Sequence, residues 1–133
     1  MKIFFDGPPI ALSRPRFSRY GIYDKQKDQK RRCIWELKLQ DVTCINDGPI
    51  SMRMHFYMPI PASLSYKKKK EYEKAYHVGK KDLDNMIKFY NDVLIGQAYT
   101  DDKQIVEIYA IKLYDKQPRT EIEIWQSPKL QSS

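Results

Sequence analysis

Between residues 50 and 58 the chain alternates Ile50, Met52, Met54, Phe56 and Met58 with Ser51, Arg53, His55 and Tyr57. Successive side chains of a strand point to opposite faces, so this period of two sets an apolar face against a polar one. Such a strand needs neighbours to satisfy its backbone and a second layer to cover its apolar side. The methionines on that side read as core packing rather than a cofactor site.

Three more segments read as strands. Residues 1–5 (M-K-I-F-F) form a short one, stopped by Asp6-Gly7-Pro8-Pro9. Residues 104–114 carry Ile105, Val106, Ile108, Ala110, Ile111 and Leu113 on both faces, the pattern of a central strand. Residues 119–125 alternate Thr120, Ile122 and Ile124 with Arg119, Glu121 and Glu123, a half-buried strand expected to pair antiparallel to the preceding one. Two main helices are expected. One spans residues 24–42, capped by Asp24, with Ile34, Trp35, Leu37, Leu39 and Val42 on a broad apolar side. The other spans residues 82–95, with Leu83, Met86, Ile87, Tyr90 and Leu94 in one stripe, Asp82 at the N-cap and Gly96 as the stop. Residues 62–76 read as a short exposed helix capped by Ser63 or Ser65, and residues 10–23 as irregular. The expected fold is one α/β (α+β) domain, a single mixed sheet of about four strands with two helices packed on it.

At 133 residues the chain is one domain long enough to bury a core. That domain is expected over residues 1–126, with 127–133 as a flexible tail. No apolar run approaches membrane-spanning length and no signal-peptide pattern opens the chain, so a cytoplasmic protein with no membrane partner is expected. Cys33 and Cys44 read as one helix, about 16 Å apart at helical rise, too far for a disulfide. No Cys or His spacing suggests zinc.

The net charge of +7 is unevenly spread. Residues 14–32 hold eight Lys or Arg against two acids, and residues 67–81 hold seven Lys against two acids. From Asp82 onward six basic residues face nine acids. Arg14, Arg16 and Arg19 are interleaved with Phe17 and Tyr20, a pattern that grips phosphates and stacks on bases or sugars. Lys67, Lys68, Lys69, Lys70, Lys80 and Lys81 form the second basic stretch. A charge run alone is also what a solvated surface looks like, so these residues are candidates for DNA contact.

The acids are grouped. Asp82 and Asp84 open the second helix, Lys88 lies one turn on, and Asp101 and Asp102 follow the Gly96 turn. If the chain folds back along the helix, that second pair can return to the first. Carboxylates gathered so closely repel one another unless a cation joins them. Oxygen ligands without Cys or His suit Mg²⁺ or Mn²⁺. The plainer account is a helix cap at Asp82, a surface ion pair Asp84–Lys88 and a turn at Asp101-Asp102. His77, as a lone histidine, reads as structural or as a supporter of a metal ligand.

Asp82-Leu-Asp84-Asn85-Met-Ile-Lys88 and, further on, Asp101-Asp102-Lys-Gln104 resemble the hallmark D-x-D-N-x-x-K and D-D-x-Q of the RusA family of Holliday-junction resolvases. Asp92, Gly96, Tyr99, Arg14-Pro15-Arg16-Phe17 and Gly21-Ile22-Tyr23 fit the same resemblance, which covers roughly residues 1–126. One departure is Lys81, where the family often has Pro. The resemblance implies a homodimeric, Mg²⁺-dependent endodeoxyribonuclease that cuts four-way DNA junctions, with Mn²⁺ a possible substitute, from a bacterial or phage-derived recombination system. It implies Asp82, Asp84 and Asp102 as metal ligands, Asp101 as an additional acid, and Lys88 as a group that steadies the transition state. Three alternatives stay open: a nuclease for flaps or forks, a non-enzymatic branched-DNA binder, and a restriction-like nuclease. The last is disfavoured because Glu107 and Glu121 lack a Lys two residues on.

Overall fold

The computed structural model describes residues 1–13, 16–19, 21–23 and 26–128. Its centre is a mixed four-stranded sheet of β1 (Lys2–Asp6), β4 (Ile50–Pro59), β5 (Ile105–Asp115) and β6 (Arg119–Gln126), in the order β1-β6-β4-β5. Strand β4 runs parallel to β5 and antiparallel to β6, and β6 is antiparallel to β1. Helices α1 (Lys27–Lys38) and α3 (Leu83–Leu94) complete the expected α+β architecture, with a short α2 (Tyr66–Tyr72) and a hairpin of β2 (Arg16–Ser18) and β3 (Gly21–Tyr23). Among the described residues no helix is long and apolar enough to cross a membrane.

The period-two strand behaves as its pattern demands. Ile50, Met52, Met54, Phe56 and Met58 are all buried. The opposite face stays partly open, and there Arg53 lies 6.0 Å from the Tyr109 ring and 5.9 Å from the Trp125 ring.

Several expectations are corrected. Strand β5 is an edge strand, not a central one, and β6 pairs with β4 and β1 rather than with β5. The apolar residues of β5 misled because Val106 and Ile108 lie at a free edge, 62% and 38% exposed. Helix α1 is shorter than residues 24–42, and it buries Cys33 and Leu37 while Trp35 and Leu39 are exposed. Cys44 lies outside it, and both cysteines are free. Residues 10–23 are not wholly irregular, since the β2–β3 hairpin lies within them. Helix α2 is capped by Ser65, whose Oγ accepts the Lys68 N–H at 3.3 Å, and it buries nothing. Of the expected tail, Ser127 is tied to the sheet by its N–H on the Pro49 carbonyl at 2.9 Å.

Helix α3 is the main second-layer element. Met86, Phe89, Tyr90, Val93 and Leu94 are buried, and Leu83 and Ile87 pack at the margin. Phe89 and Val93 widen the stripe beyond the five positions expected. Tyr90 sits at the crossing of the layers, its ring 5.2 Å from Phe5 and 5.6 Å from Phe56. Its hydroxyl accepts the Ile10 N–H at 3.1 Å and the Thr120 hydroxyl at 3.2 Å, and burial pushes its pKa up to about 12. Tyr90→Phe leaves two buried donors without an acceptor, so it is expected to lower stability by about 1–3 kcal/mol. Urea unfolding of both proteins measures this, and an unchanged midpoint would show that those donors find other partners.

Candidate active site

The helix that carries the D-x-D-N-x-x-K residues is aligned by contacts at both ends. At its start, Leu12 N–H donates to the Asn85 carbonyl at 2.8 Å, and the Lys112 ammonium donates to the Lys81 carbonyl at 2.9 Å. Lys112 pairs with Phe56, well along β5. At its finish, Gly96 N–H donates to the Tyr99 carbonyl at 2.7 Å, and the Tyr99 hydroxyl donates to Asn91 Oδ1 at 3.1 Å. Ile45 N–H then donates to the Ala98 carbonyl at 2.9 Å, beside the first residues of β4 and β5. Helix α3 therefore runs opposite to β5.

Asp82 occupies the N-cap position, yet its side chain makes no capping hydrogen bond. The carboxylate is exposed and not committed to ending the helix, unlike the plain cap that its position suggested. Asp84, in the first turn, has the Lys88 ammonium 3.1 Å from its Oδ2, with both side chains largely exposed. An exposed pair of this kind contributes little to stability.

Asp101 and Asp102 play different local parts. Asp101 caps the 3₁₀ turn formed by residues 102–104, accepting the Lys103 N–H at 3.0 Å, and Gln104 closes a capping box. The same hydrogen bond, together with one to Asp102 and the Lys103 charge, holds the Asp101 carboxyl below the usual range. Asp102 is exposed and is the acid of the pair not used as the cap. Its charge and that of Asp92, after burial as the main cause, raise the Tyr99 pKa.

Gln104, whose role sequence reasoning did not find, clamps this turn. Its Oε1 accepts the Thr100 N–H at 3.0 Å and the Asp101 N–H at 2.9 Å. Its Nε2 donates to the carbonyls of Ile45 at 3.1 Å and Gly48 at 3.2 Å. The signal was the D-D-x-Q spacing itself, since a Gln at the third helical position is a capping-box residue.

The acid pairs do not converge within one chain. Asp82 and Asp84 stand at the start of α3, while Asp101 and Asp102 follow its end; the helix has 12 residues, about 18 Å at helical rise. Among the described residues no three His, Cys, Asp or Glu side chains are grouped to hold a metal ion. The chain does not fold back along α3 after Gly96: Gly96 adopts φ 82° and turns it towards Ile45 instead.

The two basic segments adjoin the start of α3 at their ends, through residue 12 and through Lys80 and Lys81. The Leu12–Asn85 hydrogen bond brings residue 12 to α3, two positions before Arg14. Arg14 lies outside the described residues, Arg16 is in β2, and Arg19 is an exposed turn residue. Lys67, Lys68 and Lys70 are exposed on α2 and Lys69 is half-buried. Lys69, Lys70 and Lys116 line an open cleft of about 450 Å³ with Tyr66 and Pro59. Lys80 is exposed, and the Lys81 ammonium donates to the Pro9 carbonyl at 3.2 Å. His77 packs on Tyr114 at 4.8 Å between ring centroids, and burial, then Lys112 and Lys81, lower its pKa.

The chain carries exposed oxygen donors with a lysine beside them and two basic segments, residue types that suit a polyanion and a hard cation. It belongs to the RusA endodeoxyribonuclease family: the family described as "Endodeoxyribonuclease RusA" matches residues 6–125. It is also 34% identical over 129 residues to "Uncharacterized protein YqaN" of Bacillus subtilis (strain 168), across 89% of this chain and 90% of that protein.

Lys81, the departure from the family pattern, has φ 85°. Proline is locked near −65° and cannot adopt this backbone. Lys81→Gly is expected to leave the thermal midpoint almost unchanged, whereas Lys81→Pro lowers it clearly, by about 3 kcal/mol or more in stability. Differential scanning fluorimetry distinguishes the two.

Proposed function

We propose that this chain is a Mg²⁺-dependent, structure-selective endodeoxyribonuclease that resolves Holliday junctions by paired strand incision in DNA recombination and repair. The observation that carries the reading is the family match combined with the state of its hallmark acids. Asp82 and Asp84 are exposed at the start of α3, Asp82 is not used as a cap, and Lys88 lies beside Asp84.

The donor set fits the ion. Mg²⁺ is usually held by one or two carboxylates, several waters and the substrate's phosphate, and Asp82 and Asp84 supply two carboxylates at the N-cap and in the first turn of one helix. Mn²⁺ suits the same oxygens. When bound, such an ion lowers the pKa of a water and polarises the scissile phosphate. The chain's own residues do the remainder. Asp82 and Asp84 would hold the ion; Asp102, the third acid that the resemblance implies as a ligand, stands beyond the other end of α3 in the same chain, on the turn that Asp101 fixes. Lys88 places a positive charge where negative charge develops on the phosphate oxygens. Arg14, Arg16, Arg19, Lys67–Lys70, Lys80 and Lys81 hold the DNA arms through their phosphates. Residues 1–126 form the nuclease domain of a cytoplasmic, bacterial or phage-derived homodimer.

A non-catalytic junction-binding module is the second reading, favoured by the separation of the two acid pairs in one chain. Cleavage of a synthetic four-way junction against linear duplex, in Mg²⁺ and in EDTA, separates the two. Metal-dependent, symmetric nicks in the junction alone support the nuclease. Tight binding with no nick under any divalent ion supports the binding module.

Asp84→Asn is expected to reduce junction cleavage by at least about 100-fold while junction affinity is kept or rises, because one anion beside the phosphates is lost. Gel-shift and nicking assays on the same preparation check this, and loss of binding by a folded variant would count against the assignment. Lys88→Ala is expected to slow cleavage by about 10²–10³-fold with much less effect on binding. Equal loss of both would make Lys88 a DNA grip only.

A further inference from the structure

Helix α2 contributes nothing to the core, since none of its residues is buried. It is nevertheless held from its C-terminal side. The Tyr72 ring packs on Tyr114 at 5.0 Å, Lys74 N–H donates to the Tyr114 carbonyl at 2.8 Å, and Tyr114 N–H donates to the Ala75 carbonyl at 2.9 Å. Three residues of α2 line an open cleft of about 450 Å³, within the range of about 300–1,000 Å³ usual for pockets that take small organic groups. Tyr66, Pro59 and Pro118 bring rings to its lining, and Lys69, Lys70 and Lys116 bring three cations. Tyr66 is 75% exposed, and the Lys70 ammonium lies 4.9 Å from the centre of its ring. One cation is partly neutralised, since Lys116 Nζ is 3.7 Å from the Glu73 carboxylate.

We propose that this cleft takes one unstacked nucleotide of a DNA strand, with the base against Tyr66 and the prolines and the adjoining phosphates on Lys69, Lys70 and Lys116. The proposal rests on the DNA-processing function proposed above.

The chemistry of the lining selects this occupant. Phosphates alone need cations on an open surface and have no use for a recess of rings. A base inside a duplex shows only its edges to the grooves, so ring faces serve a base that has left the stack. An aromatic platform joined to cations is the combination that binds single strands. Among the described residues that line the cleft there is no Asn, Gln, Asp or Glu, so recognition rests on stacking and charge and is tolerant of base identity.

The cleft also lies on the route of a strand that leaves the start of α3. The Lys112 ammonium donates to the Lys81 carbonyl, next to Asp82. Lys116 is four residues further along the chain, at most about 14 Å at about 3.3–3.6 Å per residue. That length matches about four nucleotides of a stacked strand at about 3.4 Å each. Lys74, Lys80 and Lys81 lie in the segment that joins α2 to α3, so cations run from the cleft to the acids. Taking a nucleotide out of the stack costs least where pairing is already interrupted. The cleft therefore favours branched over linear DNA without reading its sequence.

The test is a binding cycle in EDTA, where no strand is cut. Wild type and Tyr66→Ala are titrated, by fluorescence anisotropy, against a labelled oligothymidylate of eight residues and against an abasic deoxyribose-phosphate chain of the same length. The wild type is expected to bind the thymidine strand about tenfold more tightly than the abasic one. Tyr66→Ala is expected to lose that advantage and keep its abasic affinity, and Tyr66→Trp to restore it. Lys69→Gln combined with Lys70→Gln is expected to weaken both strands alike. Tyr66 is exposed on a helix that buries nothing, so the variants are expected to match the wild type by circular dichroism. If Tyr66→Ala weakens both strands equally, or neither, the proposal is overturned. Tyr66-dependent binding of the acidic apolar peptide Asp-Asp-Leu-Phe, with no preference for base-bearing DNA, also overturns it and makes the cleft a protein-docking site. If the cycle holds but the wild type cuts no branched DNA in Mg²⁺, the nuclease reading fails and the nucleotide cleft stands. If the wild type cuts four-way junctions but shows no preference for bases over abasic chain, the nuclease stands and the cleft fails.

Discussion

Everything in this molecule that bears on chemistry depends on how α3 is seated across the sheet. Its seat is apolar: Met86, Phe89, Tyr90, Val93 and Leu94 are buried in one cluster with Met52, Met54 and Phe56. Burying such side chains contributes roughly 1.5–3 kcal/mol each, far more than any exposed ion pair of the site. The polar ties at each end then remove the freedom to slide. Leu12 and Lys112 hold the start, and Tyr99, Gly96 and the Ala98–Ile45 hydrogen bond hold the finish. Asp82, Asp84 and Asp102 ride on this frame and stay exposed, while Asp101 caps the turn that follows it.

The architecture was legible where side-chain period and burial coincide. The alternation from Ile50 to Met58, the stripe from Leu83 to Leu94 and the stop at Gly96 all appear in the structure as the sequence implied. Strand neighbours were not legible. Val106 and Ile108 carry the composition of a central strand, and nothing in a single chain tells an apolar edge from an apolar centre. The error over β6 has the same root. Two successive strands joined by a short turn are expected to pair, but β6 crosses to the far side of β4 and leaves β5 at the margin. Helix α1 misled because Trp35 and Leu39 resemble core residues yet face outward.

The candidate residues were readable by type and spacing but not by position in space. The spacing of Asp82, Asp84 and Lys88 needs only one helix, and the structure places Asp84 and Lys88 in it and Asp82 at its N-cap. The spacing from Asp84 to Asp102 passes through a turn whose direction depends on tertiary contacts. Those contacts are the Gln104 hydrogen bonds to Ile45 and Gly48, with partners more than fifty residues away in sequence. Gln104 was visible as a letter of the motif, but its partners were not, because no local rule connects residue 104 to residue 45.

A clamp as complete as that of Gln104 sets a constraint on function. Two hydrogen bonds to Gln104 Oε1, from Thr100 and Asp101, close the turn on itself, and two from its Nε2, to Ile45 and Gly48, fix it to the segment before β4. Moving that turn to the start of α3 would break the latter two and expose the polar groups they satisfy, at about 1–3 kcal/mol for each buried group. A rearrangement of one chain on binding DNA is therefore an expensive way to unite the acids.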